Sequence, residues 1–535
     1  MKKLHILLFG ILLLLAACAD DSDVEESAEE GTAAEETVNE EEGVEETADE
    51  EINFSLRSMP SSLDPHAAND GFSLYVMTNI YETLVEMNQD LELEPGLAES
   101  YEQLDDTTWE FVLREDVTFH DGSDFNAEVV KANLDRVRDE EVGAPLEFLF
   151  TEISEVEIID DYTVQIHTNE PFAALPVHLA HPGGHMISKE VIDADYAQME
   201  EGGDPLTEVH QNPIGTGFFK FEEIVEGDHV TLVRNDDYWG EAANPSEVTF
   251  KVVPEDATRI AELSTADADL IYPVNPGDVE QIDNTDGTYV EQNQSANMSY
   301  MGFNTEVEPF DDAEVRRAIA MAIDKEAIIN EMLEGIPEMA TTPLNPSVNG
   351  YSENIDPVEY DVEAARDILE EAGYGDGFTA EIVVSDRTSA DIATFIQGEL
   401  SELDIDLEIN QMESGAYLEY TADGNHEIYM GSWGTVTLDA DYGLYPMFHS
   451  DNVGAPGNRT RYVNEEVDTL LDDARTETDE ETRMQLYEDA QQIIVDEAPL
   501  VPIYHSVLLA GLQEDLSGYY QYPSSFPYLK DLTKE

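Results

Sequence analysis

Few side chains in this sequence combine type and spacing in a way that could do chemistry. The most suggestive are His178, His181 and His185, which lie within eight residues in Val-His-Leu-Ala-His-Pro-Gly-Gly-His-Met. Neutral imidazole is a common ligand of nickel, zinc or copper. His178 and His181 have the spacing of one helix face, but Pro182-Gly183-Gly184 interrupts any helix there, so a turn must place His185. Two readings stay open: a metal cluster, or a packed turn in a smaller lobe. Cys18 is the sole cysteine, which excludes disulfides within the chain and cysteine-cluster zinc sites. The sequence has no Gly-x-Ser-x-Gly elbow, no phosphate-cradling Gly-x-x-x-x-Gly-Lys-Ser/Thr loop and no His-Glu-x-x-His. With 121 acidic residues, carboxylate pairs occur everywhere and single out no catalytic dyad.

The elements around these residues divide the chain. Lys2 and Lys3 precede an apolar run from Ile6 to Leu15, then Ala16-Ala17-Cys18. A basic head, a short apolar core and small residues before a cut site mark an export signal. The run is shorter than the roughly 20 residues a spanning helix needs. Residues 19–51 contain 17 acidic and no basic residues. Such a segment buries too little apolar surface to offset its ordering entropy, so a disordered, charge-extended tether is expected.

Residues 52–535 hold the other 104 acidic residues against 21 basic ones, so the excess charge belongs to the body as well. Repulsion of that size calls for screening and implies a saline external medium. It also argues against nucleic acid as a partner, since phosphates are bound by Lys and Arg. The body's length suits two or three lobes. Alternating patterns predict strands at 52–56, 109–113, 162–166, 230–233 and 248–252. Helices are predicted at 311–333, at 361–372 stopped by Gly373, at 388–403, at 464–474, and at 479–497 before Pro499.

Two resemblances add to this. Leu15-Ala16-Ala17-Cys18 resembles the lipobox of bacterial lipoproteins, which implies a lipid on the Cys18 thiol and cleavage just before it. The body resembles extracytoplasmic solute-binding proteins of the oligopeptide, dipeptide, nickel and glutathione class (family 5), which serve ATP-driven importers. The resemblance rests on segments in family order. Tyr81-Glu-Thr-Leu-Val85, Pro95-Gly-Leu-Ala-Glu-Ser100 and Val117-Thr-Phe-His-Asp-Gly122 come first. Asn212-Pro-Ile-Gly-Thr-Gly217, Asn235-Asp-Asp-Tyr-Trp239, the stretch from Pro309 to Ile319 and Ala498-Pro-Leu-Val-Pro-Ile-Tyr504 come after them.

The resemblance implies an α/β fold of the periplasmic-binding type II kind, with two lobes closing over a cleft and an extra inserted domain. The expected organisation is a signal peptide at 1–17 and the lipidated cysteine with its tether at 18–51. Lobe I would comprise 52–85, 212–290 and 500–535, the inserted domain 86–211, and lobe II 291–499. The implied function is capture of a short peptide, with glutathione-like peptides included, for delivery to a permease. Nickel or a metal chelate, or a surface sensing role, are the alternatives. Expected partners are the peptide, the permease and ATPase of the importer, and the membrane through lipid on Cys18. The chain is expected to be monomeric and to need no cofactor or catalysis.

For the ligand site, the resemblance directs attention to Met430-Gly-Ser-Trp433 and the residues just after it. Trp433 is expected to pack on the ligand. Family members that bind dipeptides and oligopeptides carry an amine-binding Asp three residues after the Trp, where this chain has Val436. Asp439 and Asp441 are the expected substitutes, a spacing nearer the glutathione-binding branch; loop capping or a solvated acid is the alternative for both. Arg387, between a predicted strand and helix, is expected to hold a ligand carboxylate with its planar fork, or else to form an internal salt bridge.

Overall fold

The computed structural model describes residues 50–68, 70–89, 92–455 and 457–535. Cys18, the export signal and nearly all of the acidic segment lie outside the described residues. The described residues belong to one compact unit beginning at Ala48.

An 11-stranded mixed sheet runs through this unit. One end is built from strands Phe219–Val225, His229–Arg234, Glu247–Val252, Glu51–Leu56 and Leu270–Tyr272. The other end carries Ile428–Gly434, Thr379–Val384 and Asp406–Gln411. Two long antiparallel strands, Thr288–Phe303 and Leu500–Gln513, join the ends. Their ladder pairs Thr288–Gln294 with Val507–Gln513, breaks register, and resumes at Met298 opposite His505. A bulge of this kind bends a strand and raises its twist, so one continuous sheet can serve two lobes.

The alternating pattern of the strands explains their two-sided burial. Ile52, Phe54 and Leu56 join Val248, Phe250 and Leu508 in one core. Ile271 and Leu509 point the opposite way, into a smaller cluster with Ile260 and Leu263. In the other lobe, Met301, Ile382 and Ile428 face one core while Tyr300, Val383 and Tyr429 face another. A separate four-stranded antiparallel sheet, Ala98–Asp105, Thr108–Leu113, Thr163–Thr168 and Ile153–Asp160 in that order, has its own core around Phe111, Val130 and Phe150.

Every strand expected from periodicity overlaps a strand. The helix Val362–Ala372 is capped by Asp361 and ends at Gly373, whose φ of 92° is open to glycine and strained for other residues. The long helix expected over 311–333 is instead broken. Ala313–Met321 stops, and Lys325–Ala327 begins a second piece that continues as a wider, π-type turn, Ile328–Met332. The break falls where the Asp324 side chain accepts from the amide of Ala327 at 2.9 Å, acting as a new cap. The first strand begins at Glu51, one residue inside the segment expected to be tether.

Candidate functional site

The strands that cross between the lobes also line the main opening. A cavity of about 810 Å³ lies beside them, bordered by Asn297 and Ser299 of one crossing strand and Tyr504 of the other. Tyr75 comes from the first lobe, and Trp433 and Arg459 from the second. Gly434 lets the Asn297 side chain lie against the strand, since a Cβ there would stand 2.1 Å from Asn297 Oδ1 and displace it. The cavity shares Asp386 and Thr388 with a neighbour of about 940 Å³, and Val436, Ser524 and Phe526 with a third of about 160 Å³. The main cavity therefore adjoins both of the other openings.

Trp433 is placed at this cleft. Its indole Nε1 donates to the Tyr442 carbonyl at 3.1 Å, and its ring lies 5.5 Å from that of Tyr442. The ring is thereby oriented by the start of the next helix, Ala440–Phe448. Arg387 is the first residue of the helix Arg387–Leu400, capped by Asp386, so it lies inside the helix and not ahead of it. Its side chain is 93% exposed, with Nε 3.7 Å from Asp391. It lines the 940 Å³ opening together with Arg57, away from the main cavity.

Asp439 and Asp441 meet a different arrangement from the one expected of ammonium ligands. Asp439 caps the helix by accepting from the Asp441 amide at 2.9 Å. It also takes both Arg483 Nη atoms, at 3.0 and 2.7 Å. Asp441 pairs with His178 Nε2 at 2.9 Å and Arg475 Nε at 3.0 Å. Burial opposes the ionised form of Asp441, but Arg475, His178 and Arg483 outweigh it and hold the carboxyl well below the usual range. Both acids are almost fully buried, and neither lines the main cavity. Their charge neutralises arginines, which the sequence spacing around Trp433 did not reveal because Arg475 and Arg483 come from helices further along the chain.

The three clustered histidines do not converge. His178 Nδ1 lies 2.9 Å from the Leu149 carbonyl and Nε2 2.9 Å from Asp441, so both ring nitrogens are engaged within the protein. His181 Nδ1 accepts from the Gly183 amide at 2.8 Å, fixing the turn. His185 stacks on Tyr81 with ring centroids 5.8 Å apart. Among the described residues, no group of three His, Cys, Asp or Glu side chains is placed to hold a metal ion. In this arrangement the three side chains serve the packing and hydrogen bonding of the turn.

Arg459 was missed in the sequence. It lines the main cavity, with Nη1 donating to the Leu418 carbonyl and to Thr421 Oγ1, both at 2.7 Å. The signal that singled out Arg387, a cation outside an obvious helix face in an acidic chain, applies equally to Asn458-Arg459-Thr460.

A crossed sheet, a cleft walled by both halves and an aromatic platform define a two-lobed binding protein of the periplasmic type II kind. Residues 92–455 match the profile of bacterial extracellular solute-binding proteins, family 5 middle. The glutathione-binding protein GsiB of Salmonella typhi is 30% identical over 488 residues, 89% of this chain and 93% of that protein. GsiB of Pectobacterium atrosepticum is 32% identical over 482 residues, 88% and 91% of the two. The solved structure of the periplasmic binding protein DppA from Helicobacter pylori, in complex with peptide STSA, superposes with a TM-score of 0.81 at 29% identity, covering 90% of this chain and 98% of that one. The chain belongs to the family 5 bacterial extracellular solute-binding proteins. It is an extracytoplasmic binding component and not an enzyme.

Proposed function

We propose that this protein captures a short peptide, with glutathione-like peptides included, and delivers it to the permease of an ATP-driven importer. The observation that carries the reading is the cavity of about 810 Å³ beside the crossing strands, inside the range of roughly 300–1,000 Å³ usual for small-ligand sites. Its walls combine an aromatic face at Trp433 with strand backbone and the cation of Arg459, features suited to a peptide main chain. The similarity to glutathione-binding and peptide-bound relatives points the same way. In this reading Trp433 packs on the ligand, while Arg387 and Arg57 receive a carboxylate at the rim. Asp439 and Asp441 act one step back, holding the segment that carries Tyr442.

The moving bodies are lobe I with the inserted domain, and lobe II. Their boundary lies at residues 295–297 and near 506, where the register of the crossing ladder breaks. That is about five to seven residues further along the chain than the limits of 290 and 499 that the family resemblance implies. Cys18 carries the lipid that retains the monomeric body at the outer face of the membrane.

Mass spectrometry of small molecules that copurify with the chain tests the ligand class. A peptide is expected, and recovery of a metal chelate with no peptide would overturn the proposal. Intact-mass analysis of the membrane fraction tests the anchor. A diacylglyceryl increment beginning at Cys18, lost in Cys18→Ser, is the expected result.

A further inference from the structure

The opening of about 160 Å³ at the end of the cleft has a chemistry unlike the rest. Its walls include Tyr238, Tyr522, Phe526 and Tyr528, together with His185 and two carboxylates, Glu82 and Glu86. The two acids are held differently. Glu82 accepts from Thr216 Oγ1 and Tyr238 Oη at 2.6 Å each, and from Trp239 Nε1 at 2.9 Å. Three donors thus satisfy Glu82 and fix it in place. The Glu86 residue is held by its backbone in the ladder opposite Glu94, but its carboxylate makes no hydrogen bond or ion pair among the described residues. His185, 5% exposed, leaves Nδ1 without a partner, and burial pushes that imidazole down to about 3, so the ring is neutral. An unpaired carboxylate, a neutral imidazole and several aromatic faces are the groups that bind an organic cation.

We propose that this opening is a subsite for an alkylammonium group, with Glu86 as its counter-ion and the faces of Tyr238, Tyr522 and Tyr528 as its walls. It deepens the peptide-capture reading on which it rests, because Val436, Ser524 and Phe526 line both this opening and the main cavity. A ligand lying in the main cavity can therefore place an amine here without leaving the cleft.

The charges around Glu86 support the assignment. Burial, then Glu82 and Glu94, push its carboxyl up, against the pull of Arg114 and Lys530, to about 8. Neither cation reaches it. Arg114 donates through Nε to the Gly96 carbonyl at 2.8 Å and lies over the Trp239 ring. Lys530 Nζ is 5.6 Å from the Tyr238 ring centroid. Tyr238, Tyr522 and Tyr528 all have their phenols raised by burial first and by the charge of Glu86 among other causes, so they stay neutral. An entering cation supplies the charge that this carboxylate lacks, and it displaces a proton wherever Glu86 is protonated.

The test is titration calorimetry on the full-length chain in detergent, at fixed high salt. The probes are n-butylammonium against n-butanol, and trialanine against N-acetyl-trialanine. Butylammonium is expected to bind and butanol not. Trialanine is expected to bind at least about tenfold tighter than its acetylated form, with both preferences lost in Glu86→Gln. An alkylammonium stays charged to about pH 10, so its affinity in the wild type should rise about tenfold per unit from pH 6 to 8 and then level off. Below pH 8, runs in buffers of different ionisation heat should report release of close to one proton per cation, which needs no variant. If butylammonium gives no response that depends on Glu86, and the two peptides bind equally, the subsite is overturned while peptide capture stands. If butylammonium binds through Glu86 and neither peptide binds, the subsite stands and the peptide reading falls.

Discussion

Asp441 joins the second lobe to the inserted domain, and its replacement by Asn tests whether that junction governs closure. The carboxylate is 1% exposed and touches His178 of the inserted domain at 2.9 Å and Arg475 at 3.0 Å. At about 3 Å and an effective dielectric of about 20, the contact with the Arg475 charge is worth about 5 kcal/mol gross. Desolvation offsets most of it, and removing one member of a buried pair costs about 3–5 kcal/mol net. Asn keeps the shape and one acceptor for His178, so the lower figure, about 3 kcal/mol, applies. If the His178 contact forms only when lobe II lies against the inserted domain, that loss moves the closed-to-open ratio by about a hundredfold. The single native cysteine makes the assay direct. In a Cys18→Ser background, spin labels at Ile159 and Val463, which are 46% and 63% exposed, report the distance between the two bodies. Asp441→Asn is expected to broaden that distance distribution and shift it outward. A distribution identical to the parent, with an unchanged melting temperature, would refute the latch.

Three further outcomes rest on burial and charge. Arg136→Met removes the guanidinium that bonds Asp64, Asp195 and His66 with no exposure to solvent, and should cost about 3–5 kcal/mol. At about 2.1 cal/mol/K per residue over about 490 residues, that lowers the melting temperature by about 4 °C, readable by calorimetry. Glu86 binds its proton more tightly folded, with a value of about 8, than unfolded, so this group makes stability fall as pH rises from about 4.5 to 8. Glu86→Gln lacks that slope and should melt higher than the parent at pH 9 but alongside it at pH 4; equal melting at both would contradict the burial argument. The net charge of -98 predicts a melting temperature that climbs between 0.1 and 1 M salt, as the screening length contracts from about 10 to 3 Å. A flat salt profile would count against self-repulsion.

The strands were legible because their apolar residues alternate over two-sided cores, as in Ile52, Phe54 and Leu56. Helix limits were legible where a cap is local, as at Asp361 and Gly373. The break at 322–324 was not, because an apolar face runs through it and only the turned side chain of Asp324 marks it. In the site, Trp433 was legible because it sits in a recognisable segment. The roles of Asp439 and Asp441 were hidden because their partners Arg483, Arg475 and His178 lie between about 34 and 263 residues away in sequence. Arg459 and Glu86 were hidden for a related reason. Nothing in a short window tells a carboxylate or guanidinium facing a cavity from one facing solvent.

The scarcity of cations gives the cleft its polarity. Arg136, Arg259, Arg316 and Arg483 are all buried and each binds several oxygens at once, and the buried Arg475 is committed to Asp441. Arg316, for example, donates to the carbonyls of Phe310, Glu497 and Ala498. A guanidinium can serve so many acceptors because its donors form a fixed planar fork. With these arginines committed inside, the cations left to line the openings are few and unevenly placed. Arg57 and Arg387 border the 940 Å³ end, Arg459 the middle, and the carboxylates Glu82 and Glu86 the aromatic end. The 940 Å³ end, however, also carries Glu255, Asp256, Asp278, Asp386 and Asp391, with Arg57 3.2 Å from Asp256 and Arg387 3.7 Å from Asp391, so a ligand carboxylate there competes with acids already in place. The direction of a zwitterion is therefore set between Arg459 in the main cavity and Glu86 at the aromatic opening, its carboxylate toward the first and its ammonium toward the second. Glu86→Lys should then weaken a free zwitterionic peptide more than one blocked at both termini.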